Sequence, residues 1–148
     1  MVLEIKGKEY NVHFGLRFVR ALDEKHYQQS GVNKFGIGLQ VIVSELYDRN
    51  ATTLSDVLYL GTITEKSRPG DKQVDEYVET HENIEKLFEE VLEELKKGNA
   101  TKLKVLELVA ELEENLAKLE EQKKLEELQR ELEAKRIKEL QEKLTKTS

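Results

Sequence analysis

The first dozen residues alternate between apolar and polar. Leu3 and Ile5 share one side, Gly7-Lys8 interrupts, and Tyr10, Val12 and Phe14 resume the pattern. A period of two about a glycine-led two-residue turn predicts a β-hairpin. Pairing about that turn sets Ile5 opposite Tyr10 and Leu3 opposite Val12, with Glu4 and Asn11 on the other face. A lone hairpin is marginal in water, so its apolar face is expected to pack on the helices that follow. After Gly15 the period lengthens. Leu16, Val19, Leu22 and His26, with Phe18 beside them, predict a helix ending near Gln29. Ser30 to Gly38, with three glycines, reads as a loop. Leu39 to Tyr47 is apolar on several sides, as in a buried central helix, and Asp48-Arg49-Asn50 ends it. Thr53 followed by Asp56 resembles a capping box opening a short helix with Leu54, Val57, Leu58 and Leu60. Ser67-Arg68-Pro69-Gly70-Asp71 is the strongest break in the chain, and Asp71 is expected to cap a helix carrying Val74, Tyr77 and Val78. Ile84, Leu87, Phe88, Val91, Leu92 and Leu95 then recur at i, i+3, i+4, i+7, i+8 and i+11. Lys96 and Lys97 suit the negative end of that helix, and Gly98-Asn99 stops it.

From Ala100 onward there is no Gly and no Pro, and Leu, Glu and Lys dominate. One straight helix over this stretch would be on the order of 70 Å long. Val105, Val109, Leu112, Leu116 and Leu119 step by four and three, the spacing of a coiled-coil seam. Leu125, Leu128 and Leu132 then fall roughly on the opposite face at about 100° per residue, and Ile137, Leu140 and Leu144 rotate partly back. The charged run from Glu120 to Lys124 marks the shift. It contains no turn-favouring residue, so one helix with two contact faces is expected. These eleven positions are the candidate partner-binding or self-association residues. For Val105 to Leu119, fold-back onto the Ile84–Leu95 helix and pairing between chains stand as equal alternatives; for Leu125 to Leu144 another chain is the expected contact. The expected fold is mainly α: a short N-terminal hairpin packed on about five helices over residues 1–98, then a helical extension with coiled-coil character over 99–148.

Composition narrows the function. Charged residues make up 36% of the chain and apolar residues 38%, which fits a small core plus an exposed helix. The net charge of −6 argues against general binding to nucleic acid or anionic membranes, which calls for basic patches. The acid is concentrated: from Asp71 to Leu95 ten carboxylates face two lysines. No cysteine is present, which excludes disulfides, thiolate metal sites and thiol catalysis. The N-terminus lacks the apolar run of a signal peptide, and no stretch is long and apolar enough to span a membrane, so the cytoplasm is the expected location. Gly36-Ile37-Gly38 lacks the preceding strand and third glycine of a phosphate loop. His13, His26 and His81 have no metal-ligand spacing. Glu89, Glu90, Glu93 and Glu94 flank an apolar stripe and read as a solvated helix face, with docking of a basic segment as the sharper alternative. No nucleophile elbow, Walker loop or HExxH is present. The expectation is a binding protein without catalytic residues, metal or cofactor.

Several segments together resemble one family. Leu3-Glu4-Ile5-Lys6-Gly7-Lys8-Glu9-Tyr10 and Phe14-Gly15-Leu16-Arg17-Phe18 open the match. Leu22-Asp23, Gly36-Ile37-Gly38-Leu39, Asp56-Val57-Leu58-Tyr59, Arg68-Pro69, Val74-Asp75-Glu76-Tyr77 and Asn99-Ala100-Thr101-Lys102 follow in order. Over roughly residues 1–105 the chain resembles the tail assembly chaperones of long-tailed phages of Gram-positive bacteria. The resemblance implies a mainly helical protein of the infected or prophage-carrying cell that coats the tape measure protein until tail-tube subunits polymerise around it. It implies absence from the mature virion and brings no catalytic residue or cofactor; a homo-oligomer through the helices is the expectation from the chain's own C-terminal pattern. A structural virion component, such as a connector or tail subunit, and a generic coiled-coil adaptor are the alternatives. The extension after about Leu106 departs from the family pattern.

Overall fold

The computed structural model describes residues 1–146. It divides into two units, residues 1–109 and the residues from 110 onward. Among the described residues the fold is mainly α, with an N-terminal antiparallel hairpin, five shorter helices and a long C-terminal helix.

Strands β1 (Val2–Ile5) and β2 (Lys8–Asn11) pair Leu3 with Tyr10 and Ile5 with Lys8. This register is offset by two residues from the sequence expectation. The turn is Lys6-Gly7, with both residues at positive φ (52° and 76°), as a two-residue turn between twisted strands requires. A two-residue offset leaves each side chain on its own face, so Leu3, Ile5, Tyr10 and Val12 are still buried and Glu4 and Asn11 exposed.

Helix α1 spans Leu16–Lys25, shorter than expected. Its core contacts are Phe18 and Leu22, one turn apart, while Leu16 is 60% exposed. Two residues from Phe18 is about 200° around a helix, so Leu16 faces away from the core. The segment read as a helix end and loop is a second hairpin, β3 (Tyr27–Ser30) with β4 (Asn33–Gly36), turning at Gly31-Val32. Gly31 has φ 61°, the positive first turn position that suits glycine.

Helix α2 (Gly38–Tyr47) buries Leu39, Ile42, Val43 and Leu46, as its all-round apolar pattern requires. Arg49 in the left-handed region (φ 59°) ends the run. Asn50, not Thr53, caps α3 (Ala51–Gly61), its Oδ1 accepting from the Thr53 amide at 3.2 Å. Thr53 is buried inside the helix, and its hydroxyl donates to Glu45 of α2. Similarly, the Ser55 hydroxyl donates to Asp75 of α4 (Asp71–Thr80), joining the two helices. The cap of α4 is Gly70, whose amide donates to Gln73 Oε1 at 2.9 Å; Asp71 is the first helical residue. Helix α5 (Ile84–Lys97) is capped by Asn83 and buries Leu87, Phe88, Val91, Leu92 and Leu95. At its end Thr101, almost fully buried, donates its hydroxyl to the Leu95 carbonyl at 2.5 Å. That bond, with the Lys102 amide on Gly98 at 2.8 Å, turns the chain into α6 (Lys102–Lys146), which is continuous through the charged run.

The first hairpin is fixed to these helices by backbone as well as by burial. The His13 amide donates to the Gly61 carbonyl at 2.8 Å, and the Met1 amine lies 3.9 Å from Glu94.

Candidate protein-binding surfaces

Three exposed apolar surfaces emerge, each built from different elements. The first is an open recess of about 750 Å³ in the first unit. The chain leaving β2 and the first turn of α1 supply Val12, Phe14, Leu16 and Phe18, and the α5–α6 corner supplies Lys97 and Ala100. Val12, Phe14 and Phe18 are buried and set the apolar floor, with the Phe14 and Phe18 rings tilted at 4.8 Å between centroids. Leu16, held outward on α1, is the accessible apolar group at its edge. Arg17, Glu94 and Lys97 supply charge around it. The sequence pattern places Leu16 on one helix face with Val19, Leu22 and His26. The signal that separates it from Phe18 and Leu22 is its angular position, since the latter two alone are spaced by a full turn.

The second surface is the β3–β4 hairpin, in which every residue is exposed. Tyr27, Val32 and Phe35 are its large apolar groups, and the Lys34 ammonium sits 3.9 Å over the Tyr27 ring. The hairpin is anchored at its base. The Ile37 amide donates to the His26 carbonyl at 2.9 Å, and the Gly38 amide donates to Asp23 Oδ1 at 3.0 Å. Contrary to the sequence expectation, a strand (β4) does precede Gly36-Ile37-Gly38, and this anchoring accounts for its glycines. A Cβ on Gly36 would lie 2.2 Å from Asp23 Cγ, and one on Gly38 2.6 Å from Leu22 Cβ. The glycines permit close approach to α1, and the carboxylate of Asp23 already takes the Gly38 amide that a phosphate would need.

The third surface lies on α6. Of the eleven candidate residues, Val105 and Val109 are buried within the first unit, and Leu112 is half-buried. Leu116, Leu119, Leu125, Leu128, Leu132, Ile137, Leu140 and Leu144 are each more than half exposed. The seam is therefore split: its first two positions serve the core, and the later ones present apolar surface.

Exposed carboxylates cover the outer faces of α4 and α5. Among those with partners, Glu85 takes Arg49 Nη2 at 2.7 Å and Nε at 3.0 Å, and the guanidinium also donates to the Leu46 carbonyl and lies 5.5 Å from the Phe88 ring centre. The Arg49 hydrogen bonds hold the Glu85 carboxyl below its usual range, and Glu85 in turn raises the guanidinium. Burial, then the nearby Glu90 charge, raises the Tyr77 phenol. The histidines are dispersed. His13 is exposed beyond β2, His26 follows α1, and His81 ends α4 with its Nδ1 accepting from the Asn83 amide. Among the described residues no three His, Cys, Asp or Glu side chains cluster to hold a metal ion, and no helix is long and apolar enough to cross a membrane.

A family model described as phage tail assembly chaperone protein, TAC, matches residues 2–110. The match covers the first unit apart from Met1 and ends at Ala110, the first residue of the second. No curated protein and no solved structure gives a match.

Proposed function

The chain belongs to the phage tail assembly chaperone family, and from that premise we propose that it binds and solubilises the tape measure protein of a long-tailed phage of a Gram-positive host before the tail tube polymerises. A tape measure is long, helical and apolar along its length, and bare apolar surface of that extent aggregates. Masking it takes many copies of a protein with an accessible apolar site and a like-charged exterior. The recess beside Leu16 supplies the first, and the acidic faces of α4 and α5 supply the second. The observation that carries this reading is the open apolar recess lying inside the family-matched region. Its role is binding without catalysis, in the cytoplasm of the infected or prophage-carrying bacterium, and the protein leaves before the virion is complete.

The test is co-expression with the long helical protein encoded next to it, followed by pull-down. Wild type is expected to retain the client, and Leu16→Asp, which changes an already exposed residue, is expected to weaken capture at least about tenfold. Equal capture by both would refute use of the recess. Mass spectrometry of purified particles separates the chaperone from a virion component, since only the latter persists there.

A further inference from the structure

The second unit carries a pattern that neither the family match nor client binding explains. Continued in steps of three and four, the seam through Leu112, Leu116 and Leu119 reaches Lys123, Glu126, Arg130 and Glu133, then Ile137, Leu140 and Leu144. The two apolar blocks are therefore in one heptad phase, separated by four charged seam positions. At 100° per residue the second block lags because a straight helix drifts about 20° per heptad, and a left-handed supercoil removes that drift.

We propose that this helix pairs with the same helix of a second copy as an antiparallel coiled coil centred on Leu128. An antiparallel pair sets each a position against a d position of its partner. Centred on Leu128, the apolar layers are Leu112 with Leu144, Leu116 with Leu140, and Leu119 with Ile137. The charged layers are Lys123 with Glu133 and Glu126 with Arg130. All ten layers of the two-fold dimer then join apolar to apolar or plus to minus. Neighbouring registers fail: a shift of one half-heptad sets Leu116 against Glu133 or Leu140 against Lys123. A parallel, in-register pair stacks Lys123, Glu126, Arg130 and Glu133 each on its own copy, four like-charged layers. Charge at the seam thus selects orientation and register, as polar seam residues do in coiled coils generally. Along the flanks this register makes one like-charged pair, Glu127 against its copy at the axis. The overlap from Leu112 to Leu144 is roughly 50 Å of helix. Leu116, Leu119, Ile137 and Leu140 are 55–56% exposed in the single chain and available for burial. Leu125, Leu128 and Leu132 remain on the outer face, so the dimer leaves a separate apolar stripe on each helix. Because the paired stretch lies beyond residue 110, dimerisation adds to the family's binding unit and does not use its recess.

Two experiments on the full chain test this. In sedimentation equilibrium, wild type is expected at twice the 17.2 kDa chain mass. Lys123→Glu alone and Glu133→Lys alone each create two like-charged layers and are expected to raise the dissociation constant at least about tenfold, while the double exchange restores it. A wild type that remains a single copy at micromolar concentration overturns the proposal, as do single variants that leave the dimer unchanged, the result a parallel pair gives. The chain has no native cysteine, so orientation is readable by disulfide formation. An equimolar mixture of Leu116→Cys and Leu140→Cys chains is expected to cross-link, and neither alone. Cross-linking of either single variant with itself would overturn the antiparallel register.

Discussion

Gly61 ends α3 where the first hairpin meets it, and Gly61→Ala sets two effects in opposition. In an exposed helix interior, Ala is favoured over Gly by about 1 kcal/mol. Here a Cβ would lie 2.4 Å from Val12 Cγ1 and 3.0 Å from Phe14 Cε1. Neither neighbour yields easily. Val12 is buried and β-branched, and its amide is bonded to the Met1 carbonyl at 2.9 Å; the His13 amide beside it is bonded to Gly61 itself. Overpacking a formed core costs about 1–3 kcal/mol, enough to exceed the propensity gain. The expected net loss is up to about 2 kcal/mol, or up to roughly 10 °C in Tm for a unit of this size. The chain has no Trp, and its five tyrosines all lie between residues 10 and 77, so tyrosine fluorescence follows the first unit without signal from the long helix. Unfolding by heat and by urea, read this way, gives the difference. A Tm at or above wild type would show that helix propensity governs the site and that the hairpin is not seated against α3 as described.

Asn50→Ala removes the α3 cap bond to the Thr53 amide and is expected to cost about 1 kcal/mol in the same urea assay; a cost below a few tenths would mean the cap is replaced by water. The Glu85 carboxyl is depressed, so its pairing with Arg49 favours the fold above the ordinary carboxylate pKa and is lost as pH falls through the lower folded value. Carbon-detected NMR titration is expected to show Glu85 returning to its usual value in Arg49→Gln, and an unchanged titration would refute the hydrogen-bond origin of the shift. Leu116→Asp places a carboxylate in an apolar seam layer and is expected to shift light-scattering mass toward the single chain; unchanged mass would exclude that seam from self-association.

What was legible in the sequence follows burial. Where one face of an element meets the core, as in β1, β2, α2 and α5, the apolar period located it, and Leu87 to Leu95 are buried as their spacing required. The β1–β2 register was not legible, because pairing about Lys6-Gly7 and about Gly7-Lys8 both give one apolar face; only the backbone of the turn decides. The β3–β4 hairpin was missed because neither of its faces is buried and Tyr27 to Gly36 therefore carries no period-two signal. The trace it left was Gly31 as the first of two turn residues. The recess beside Leu16 was concealed for a different reason. Its floor is shared with the core, so only the angle between Leu16 and Phe18 distinguishes an outward group from an inward one. On α6 the seam spacing was visible, while the point where it leaves the core, between Val109 and Leu116, depends on tertiary packing that spacing does not encode.

In the proposed role this chain keeps an apolar helical client in solution. The most direct measurement is the soluble fraction of the neighbouring long helical protein expressed with and without this chain, at matched levels. The client is expected to be largely insoluble alone and soluble as a stable complex when the wild-type chain is present. A client that is equally soluble in both cases, or that stays insoluble beside abundant folded chain, would contradict that role.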